Sequence, residues 1–218
     1  MLSASVEDYL KAIYAIGENG SLATVSGLAE RLGVTAASAS GMVRRLAERG
    51  LLNHQPYRGV SLTDLGRHSA LGTLRRHRII ETYLAERLGY SWDRVHEEAE
   101  RMEHAASDEL VDRMAEKLGQ PATDPHGSPI PTRDGSVNEA ASRPLDTLEV
   151  AESGRVVRVM HDGGEMLRYL DELDLRPGIE VRVEARAPFG GPITVEVDGS
   201  SRLIGLALAA RVLVTMPE

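Results

Sequence analysis

Cysteine is absent from this 218-residue chain, which excludes disulfides, thiolate nucleophiles, iron–sulfur clusters and Cys-ligated zinc. Aromatic side chains are scarce too, with one Phe, one Trp and six Tyr. The packing must therefore come from Leu, Val, Ile and Ala, which the 42 % hydrophobic share supplies. There is no long apolar run: the longest, Leu203 to Val214, is twelve residues and contains Arg211, too short and too charged to span a bilayer. Glu7 and Asp8 stand where a secretory leader would need an apolar core. A soluble, cytoplasmic protein with no membrane partner is expected.

Net charge is −8, with an uneven distribution. Residues 1–80 hold ten Lys/Arg against six Asp/Glu, a balance of +4, whereas residues 81–218 hold fifteen against twenty-seven, a balance of −12. A basic head joined to an acidic body suits a nucleic-acid-binding unit and a cation-binding unit. Acidic excess also serves solubility, so charge alone does not decide.

The length implies two or three compact units. Over 5–17, Val6, Tyr9, Leu10, Ile13 and Ile16 recur at helical spacing, with Ser5 as N-cap and Gly17 as stop. Residues 24–32 and 36–49 form two further helices around Gly33-Val34-Thr35. Leu51-Leu52 and the run from Tyr57 to Leu62 read as two short strands. Helix, tight turn, helix and hairpin make a winged helix-turn-helix. Its third helix would present Thr35, Ala37, Ser38 and Ser40 to DNA bases and phosphates, with Arg44 and Arg45 on phosphates and Arg58 in the wing.

One long helix is expected over 64–88, a second over 91–105 and a third from the Ser107 cap to Leu118. Their broad apolar faces, including Leu110, Met114 and Leu118, call for a partner subunit, so a homodimer is expected. Residues 119–147, rich in Pro, Gly, Asp and Ser, read as a linker with room for an ordered HGSPIP turn. Beyond it the hydrophobic period changes to two, with strands at 156–159, 180–184, 193–197 and 212–214 and a helix at 164–173. The expected fold class is mainly α with small β parts: a winged helix-turn-helix (1–72), a helical metal-binding and dimerisation domain with linker (73–140), and an SH3-like β-barrel (141–218).

Glu100, Glu103 and His104 stand at i, i+3 and i+4, on one helix face, with His96 a turn earlier. His77 and Glu81 form another i, i+4 pair on the preceding helix, and Asp8 lies on the first. Imidazole plus carboxylates without sulfur suits Mn²⁺ or Fe²⁺, with Zn²⁺ and Co²⁺ able to bind by affinity. Any one such pair is more often a solvated salt bridge; three groups on one face beside a second pair make the metal reading stronger.

DYLKAIY, LAERLGVTAASASGMVRRLAERGLL, RRHRIIETYL, WDRVHEEAERMEH and SDELVDRMAEKLGQPATDPHGSPIP together resemble the diphtheria toxin repressor family of metal-dependent regulators, continuously over residues 5–131. The C-terminal segment is similar to that family's SH3-like, FeoA-type domain. The resemblance implies a regulatory metal site at Asp8, Glu100, Glu103 and His104. It also implies an ancillary site at His77, Glu81 and His96, completed from the C-terminal domain, with Asp162 and Glu165 as candidates. Iron-responsive members carry Met and Cys at the first two regulatory positions; carboxylates here resemble the manganese branch, and oxygen in place of sulfur hardens the site. Two-domain manganese regulators carry a Glu where this chain has Lys11, so two separated sites are implied rather than a paired dinuclear one. Gly41 replaces the Gln of iron-responsive relatives on the recognition helix, so their operator preference does not carry over.

The expectation is a Mn²⁺-dependent repressor acting on double-stranded operator DNA, not an enzyme, with no small-molecule substrate beyond metal ions. An iron- or zinc-responsive repressor is the alternative. A metalloenzyme would leave the winged helix unexplained, and a metal-blind regulator would leave the clusters as surface charge.

Overall fold

The structure, a computed structural model, describes residues 2–18, 20–55, 58–161 and 163–216; Tyr57 and Asp162 of the sequence analysis lie outside them. The chain forms two compact units, one of residues 1–77, 100–111 and 131–137, the other of 78–99, 112–130 and 138–218.

The first unit opens with α1 (Ala4–Gly17), α2 (Val25–Arg31), α3 (Ala36–Glu48) and the antiparallel hairpin β1 (Leu52–Gln55) and β2 (Gly59–Leu62). Side-chain caps set the helix starts. The Thr24 hydroxyl accepts from Gly27 N at 3.0 Å and the Thr35 hydroxyl from Ser38 N at 3.2 Å, satisfying donors that a helix start leaves unpaired. Gly33, at φ +63, makes the turn between α2 and α3 in a conformation most residues resist. Leu10, Leu28, Leu46 and Leu71 are fully buried at the centre. This is the expected winged helix-turn-helix. The first helix starts a little earlier than expected, with Ser3 rather than Ser5 in the cap position and Ser3 O accepting from Val6 N at 2.8 Å.

Three helices follow: α4 (Asp64–Leu88), α5 (Val95–Met102) and α6 (Asp108–Lys117). Helix α4 is buried on every side between Ala70 and Leu84, and so carries Thr73, His77, Arg78, Glu81 and Thr82 into the interior. Buried polar groups must be paired, and that requirement shapes what lies around this helix. Helix α5 is shorter than the expected 91–105. The Glu103 carbonyl accepts from Arg76 Nε at 3.1 Å, and Ser107 soon caps the next helix, accepting from Leu110 N. Glu103 and His104 therefore sit in the turn after α5. On α6, Val111 and Ala115 are buried and Leu110 is 44 % exposed, so its inward face is offset from the expected one.

In the second unit the presumed linker is partly built. Thr123 bridges Pro129, and the Asp124 carboxylate accepts from His126 N at 2.8 Å and Ser128 N at 2.9 Å. Beyond it lie β3 (Arg143–Pro144), a single 3₁₀ turn (Leu145–Thr147), β4 (Ser153–Val159), α7 (Gly164–Glu172), β5 (Glu180–Arg186), β6 (Ile193–Val197), β7 (Ser200–Ile204), α8 (Leu206–Ala209) and β8 (Val212–Thr215). The strands form one antiparallel sheet in the order β3-β8-β4-β5-β6-β7, in keeping with the SH3-like expectation. Strand β7 escaped the hydrophobic pattern because it is an edge strand with only Ile204 buried.

The Asp124–Ser128 turn depends on Gly127. Its φ is +84, and a Cβ there would lie 1.9 Å from Val157 O. Gly127→Ala must distort the backbone at a cost of at least about 1–3 kcal/mol. A lower thermal midpoint is expected; a wild-type midpoint would mean that the turn is not packed this way.

Candidate metal centre

Asp8 on α1 and Glu103 and His104 after α5 meet within the first unit, each offering a ligand atom within 4.8 Å of the others. His104 Nε2 lies 2.9 Å from Asp8 Oδ1 and 3.5 Å from Glu103 Oε1. Its other nitrogen, Nδ1, donates to Glu7 Oε2 at 2.7 Å, and Glu7 in turn accepts from Arg76 at 2.7 Å. A carboxylate on Nδ1 fixes the ring so that Nε2 faces the cluster, as in metal-binding histidines. Glu103 is fully buried; His77 Nδ1 donates to it at 2.5 Å and Lys11 Nζ at 2.7 Å. Glu100, more exposed, accepts from Lys11 Nζ at 2.6 Å.

The titration behaviour follows from these contacts. Burial pushes the Glu103 carboxyl up, but His77 and Lys11 outweigh it and hold the group below its ordinary value. Burial raises the Asp8 carboxyl, against the opposing pull of His104 and Lys11. Burial disfavours the His104 imidazolium, yet the Glu7 hydrogen bond and the Glu103 and Asp8 charges raise its pKa above 6.5. Glu7, Asp8, Glu100 and Glu103 face the cations Lys11 and Arg76, so the acidic side is in excess. Oxygen and imidazole donors with surplus negative charge and no sulfur fit a hard-to-borderline divalent cation.

A second cluster lies wholly in the other unit. Glu81, Asp124 and His126 are all buried, with ligand atoms within 4.8 Å of one another. His126 Nε2 donates to Trp92 O at 2.8 Å, which leaves Nδ1 facing Glu81 Oε1 at 3.9 Å. His96 Nδ1 lies 3.0 Å from the same Glu81 oxygen. The His161 ring stands 4.3 Å from that of His126 and 5.1 Å from that of His96. Burial and the neighbouring Glu81 charge push the Asp124 carboxyl up, as expected where negative charge is crowded out of water.

Among the residues proposed from sequence, Asp8, Glu103 and His104 converge directly, and Glu100 joins them through Lys11. Glu81 and His96 pair, whereas His77 Nδ1 is turned to Glu103. Glu165 is exposed on the first turn of α7, because Met166, Leu167 and Leu170 face the sheet core. Asp124, His126 and His161 were missed. The Asp-Pro-His-Gly run, an Asp followed two residues later by a His at a tight turn, was the available signal. Of the residues expected to contact DNA, Thr35, Ala37, Ser38, Ser40, Arg44, Arg45 and Arg58 are all exposed. The Thr35 and Ser38 hydroxyls are 2.9 Å apart at the cap of α3.

Known proteins match this arrangement along nearly the whole chain. Residues 1–60 match the N-terminal DNA binding domain of iron dependent repressors, 63–132 their metal binding and dimerisation domain, and 143–216 the FeoA domain. The iron-dependent repressor IdeR of Mycobacterium leprae is 32 % identical over 203 residues, 88 % of each chain. The chain belongs to the diphtheria toxin repressor family. Members of this family are metal-dependent, DNA-binding transcriptional repressors. A solved manganese-dependent transcriptional repressor in complex with manganese is 41 % identical, with a TM-score of 0.90 covering 97 % of this chain and all of that one. A structure of ScaR with bound Zn²⁺ is 31 % identical, with a TM-score of 0.85 over 97 % of this chain and 99 % of that one. Among the described residues no helix is long and apolar enough to cross a membrane.

The raised His104 pKa makes a prediction about stability. The imidazolium contacts stabilise the fold fully below about pH 6.5 and are lost as pH rises through the higher folded-state value. In chelator, the thermal midpoint should therefore fall across that window, and the fall should flatten in His104→Gln. Equal slopes in the two proteins would contradict the assignment.

Proposed function

We propose that this repressor is controlled by Mn²⁺, held at a regulatory site by Asp8, Glu100, Glu103 and His104. The observation that carries the reading is the meeting of Asp8, from a helix of the DNA-binding head, with Glu103 and His104 from beyond α5. A bound ion supplies a divalent positive charge shared by these groups. The donor set is oxygen and imidazole without sulfur, which favours Mn²⁺ over softer-site ions, with Fe²⁺, Zn²⁺ and Co²⁺ as competitors by affinity. The manganese complex of the similar repressor supports the same choice.

The chain's own residues define what such an ion would change. Asp8 lies on α1, which packs against the helix-turn-helix core through Leu10 and Ile13. Fixing Asp8 against Glu103 and His104 fixes α1, and with it α3, against the segment that follows α5. In a homodimer that sets the separation of two α3 helices, which must enter major grooves about 34–36 Å apart. The control is a population shift: metal binding favours the geometry able to grip DNA. Glu81, Asp124 and His126, with His96 and His161 beside them, make a second, ancillary cation site, and His77 acts by holding Glu103.

On DNA, Thr35, Ala37, Ser38 and Ser40 meet bases and nearby phosphates, and Arg44, Arg45 and Arg58 meet phosphates. The acting species is a homodimer bound to double-stranded operator DNA, without catalytic activity and in the cytoplasm.

Operator binding of the full-length protein, followed by fluorescence anisotropy with Mn²⁺ or with chelator, tests the reading. Binding should strengthen with Mn²⁺, and Asp8→Ala should remove most of that gain while leaving the fold intact. Equal operator affinity with Mn²⁺ and with chelator would refute metal control. Separately, Arg58→Ala should weaken binding to all sequences alike and reduce the salt slope by about 1. Loss restricted to one operator base would show that Arg58 reads sequence.

A further inference from the structure

Lys11 stands one turn after Asp8 on α1, with its side chain only 16 % exposed. Its ammonium donates to Glu100 Oε1 at 2.6 Å and to Glu103 Oε1 at 2.7 Å, bridging the two carboxylates. The same Glu103 oxygen lies 3.5 Å from His104 Nε2, at the heart of the cluster with Asp8. Lys11 thus holds the oxygens through which Glu100 and Glu103 would ligate. Burial alone would lower its pKa, but Glu103 and Glu100 outweigh that and keep the group charged.

Two cations cannot use these oxygens at full strength together. A divalent ion bound to Glu100 and Glu103 would lie within a few ångströms of the ammonium if Lys11 stayed in place, and at that range like charges repel strongly inside a protein. Either Lys11 must give up its two contacts, or the ion must accept weaker ones. His77 Nδ1 also lies near both carboxylates, but at 3.9 Å from Glu100 Oε1 it is farther from that oxygen than the ammonium is. His77 holds the far oxygen of Glu103, Oε2, and leaves Oε1 to Lys11.

We propose that Lys11 is a tethered cation that competes with the metal ion for Glu100 and Glu103 and so raises the free-metal concentration at which the regulatory site fills. The inference rests on the metal reading of that site and adds a residue that tunes its threshold. It has a structural consequence as well. The same two contacts tie α1 to the segment at the end of α5, so Lys11 and the metal are alternative links between the same elements. Removing the ammonium should strip one link and favour the other.

A purely structural ion pair and a competitor differ in the sign of one observable. Lys11→Met keeps the stem and removes the charge. Mn²⁺ affinity of the full-length protein, measured by calorimetry, should tighten about tenfold or more, and the gain in thermal midpoint between chelator and saturating Mn²⁺ should widen. In chelator the variant should melt below wild type, because Glu103 loses a partner in a dry site. Should Lys11→Met not fold, Lys11→Gln, which can donate hydrogen bonds without a charge, gives the same comparison. Lys11→Arg, which keeps the charge, should stay near the wild-type affinity. Unchanged or weaker Mn²⁺ binding in the uncharged variants would overturn the competition while leaving the metal site standing. A wild-type protein that takes up no Mn²⁺ at the regulatory site would overturn both.

Discussion

A carboxylate with no access to water must be surrounded by positive charge and hydrogen-bond donors, or it will not stay ionised. Glu103 is in that position. Lys11 reaches it from α1, His77 from α4, and His104 lies beside it in the same turn. Much of the first unit's architecture can be understood as what satisfies this one group. Helix α4 is buried all round and so can bring an imidazole inward. Arg76 closes the turn after α5 through the Glu103 carbonyl and orients Glu7, which orients His104. The site is therefore part of the packing and not an attachment to it.

The second cluster is built on the same logic in the other unit. Glu81 is buried on α4, and the loop after α6 folds back so that Asp124 and His126 lie beside it. Asp124 spends one carboxylate oxygen on the backbone of its own turn, and His126 spends one ring nitrogen on Trp92 O. The other Asp124 oxygen lies 3.7 Å from Arg78 Nε, and the other His126 nitrogen 3.9 Å from Glu81 Oε1. Three buried ionisable groups with ligand atoms within 4.8 Å of one another form a compact oxygen and imidazole donor set. The six-stranded sheet adds His161 from the end of β4, so the C-terminal domain contributes to this cluster through its own backbone course.

Much of this was legible in the chain itself. The helix-turn-helix declared itself through periodic Leu and Val, the Thr24 and Thr35 caps and the glycine turn, all local signals. The meeting of Asp8 with Glu103 and His104 was legible in part, because Glu100, Glu103 and His104 are close in sequence and the family resemblance supplied Asp8. What stayed hidden was long-range. Nothing local says that Glu7, next to Asp8, turns to His104 or that Lys11 spans two carboxylates about ninety residues away, at separations of 89 and 92. Asp124 and His126 sit in a Pro- and Gly-rich stretch whose composition reads as linker, although the turn packs against β4 too tightly for a side chain at Gly127. Glu165 is a candidate through the family resemblance alone, and the apolar stripe of α7 claims the inward face.

On the reading proposed above, one cation is shared by Asp8 and the residues following α5. Crystals of the Mn²⁺-loaded protein, with data collected at a wavelength where manganese scatters anomalously, would locate that ion without reference to any refined side chain. An anomalous peak is expected at ligand distance from Asp8, Glu103 and His104 together. A regulatory peak bound only by residues beyond α1, with the Asp8 carboxylate in solvent, would contradict it.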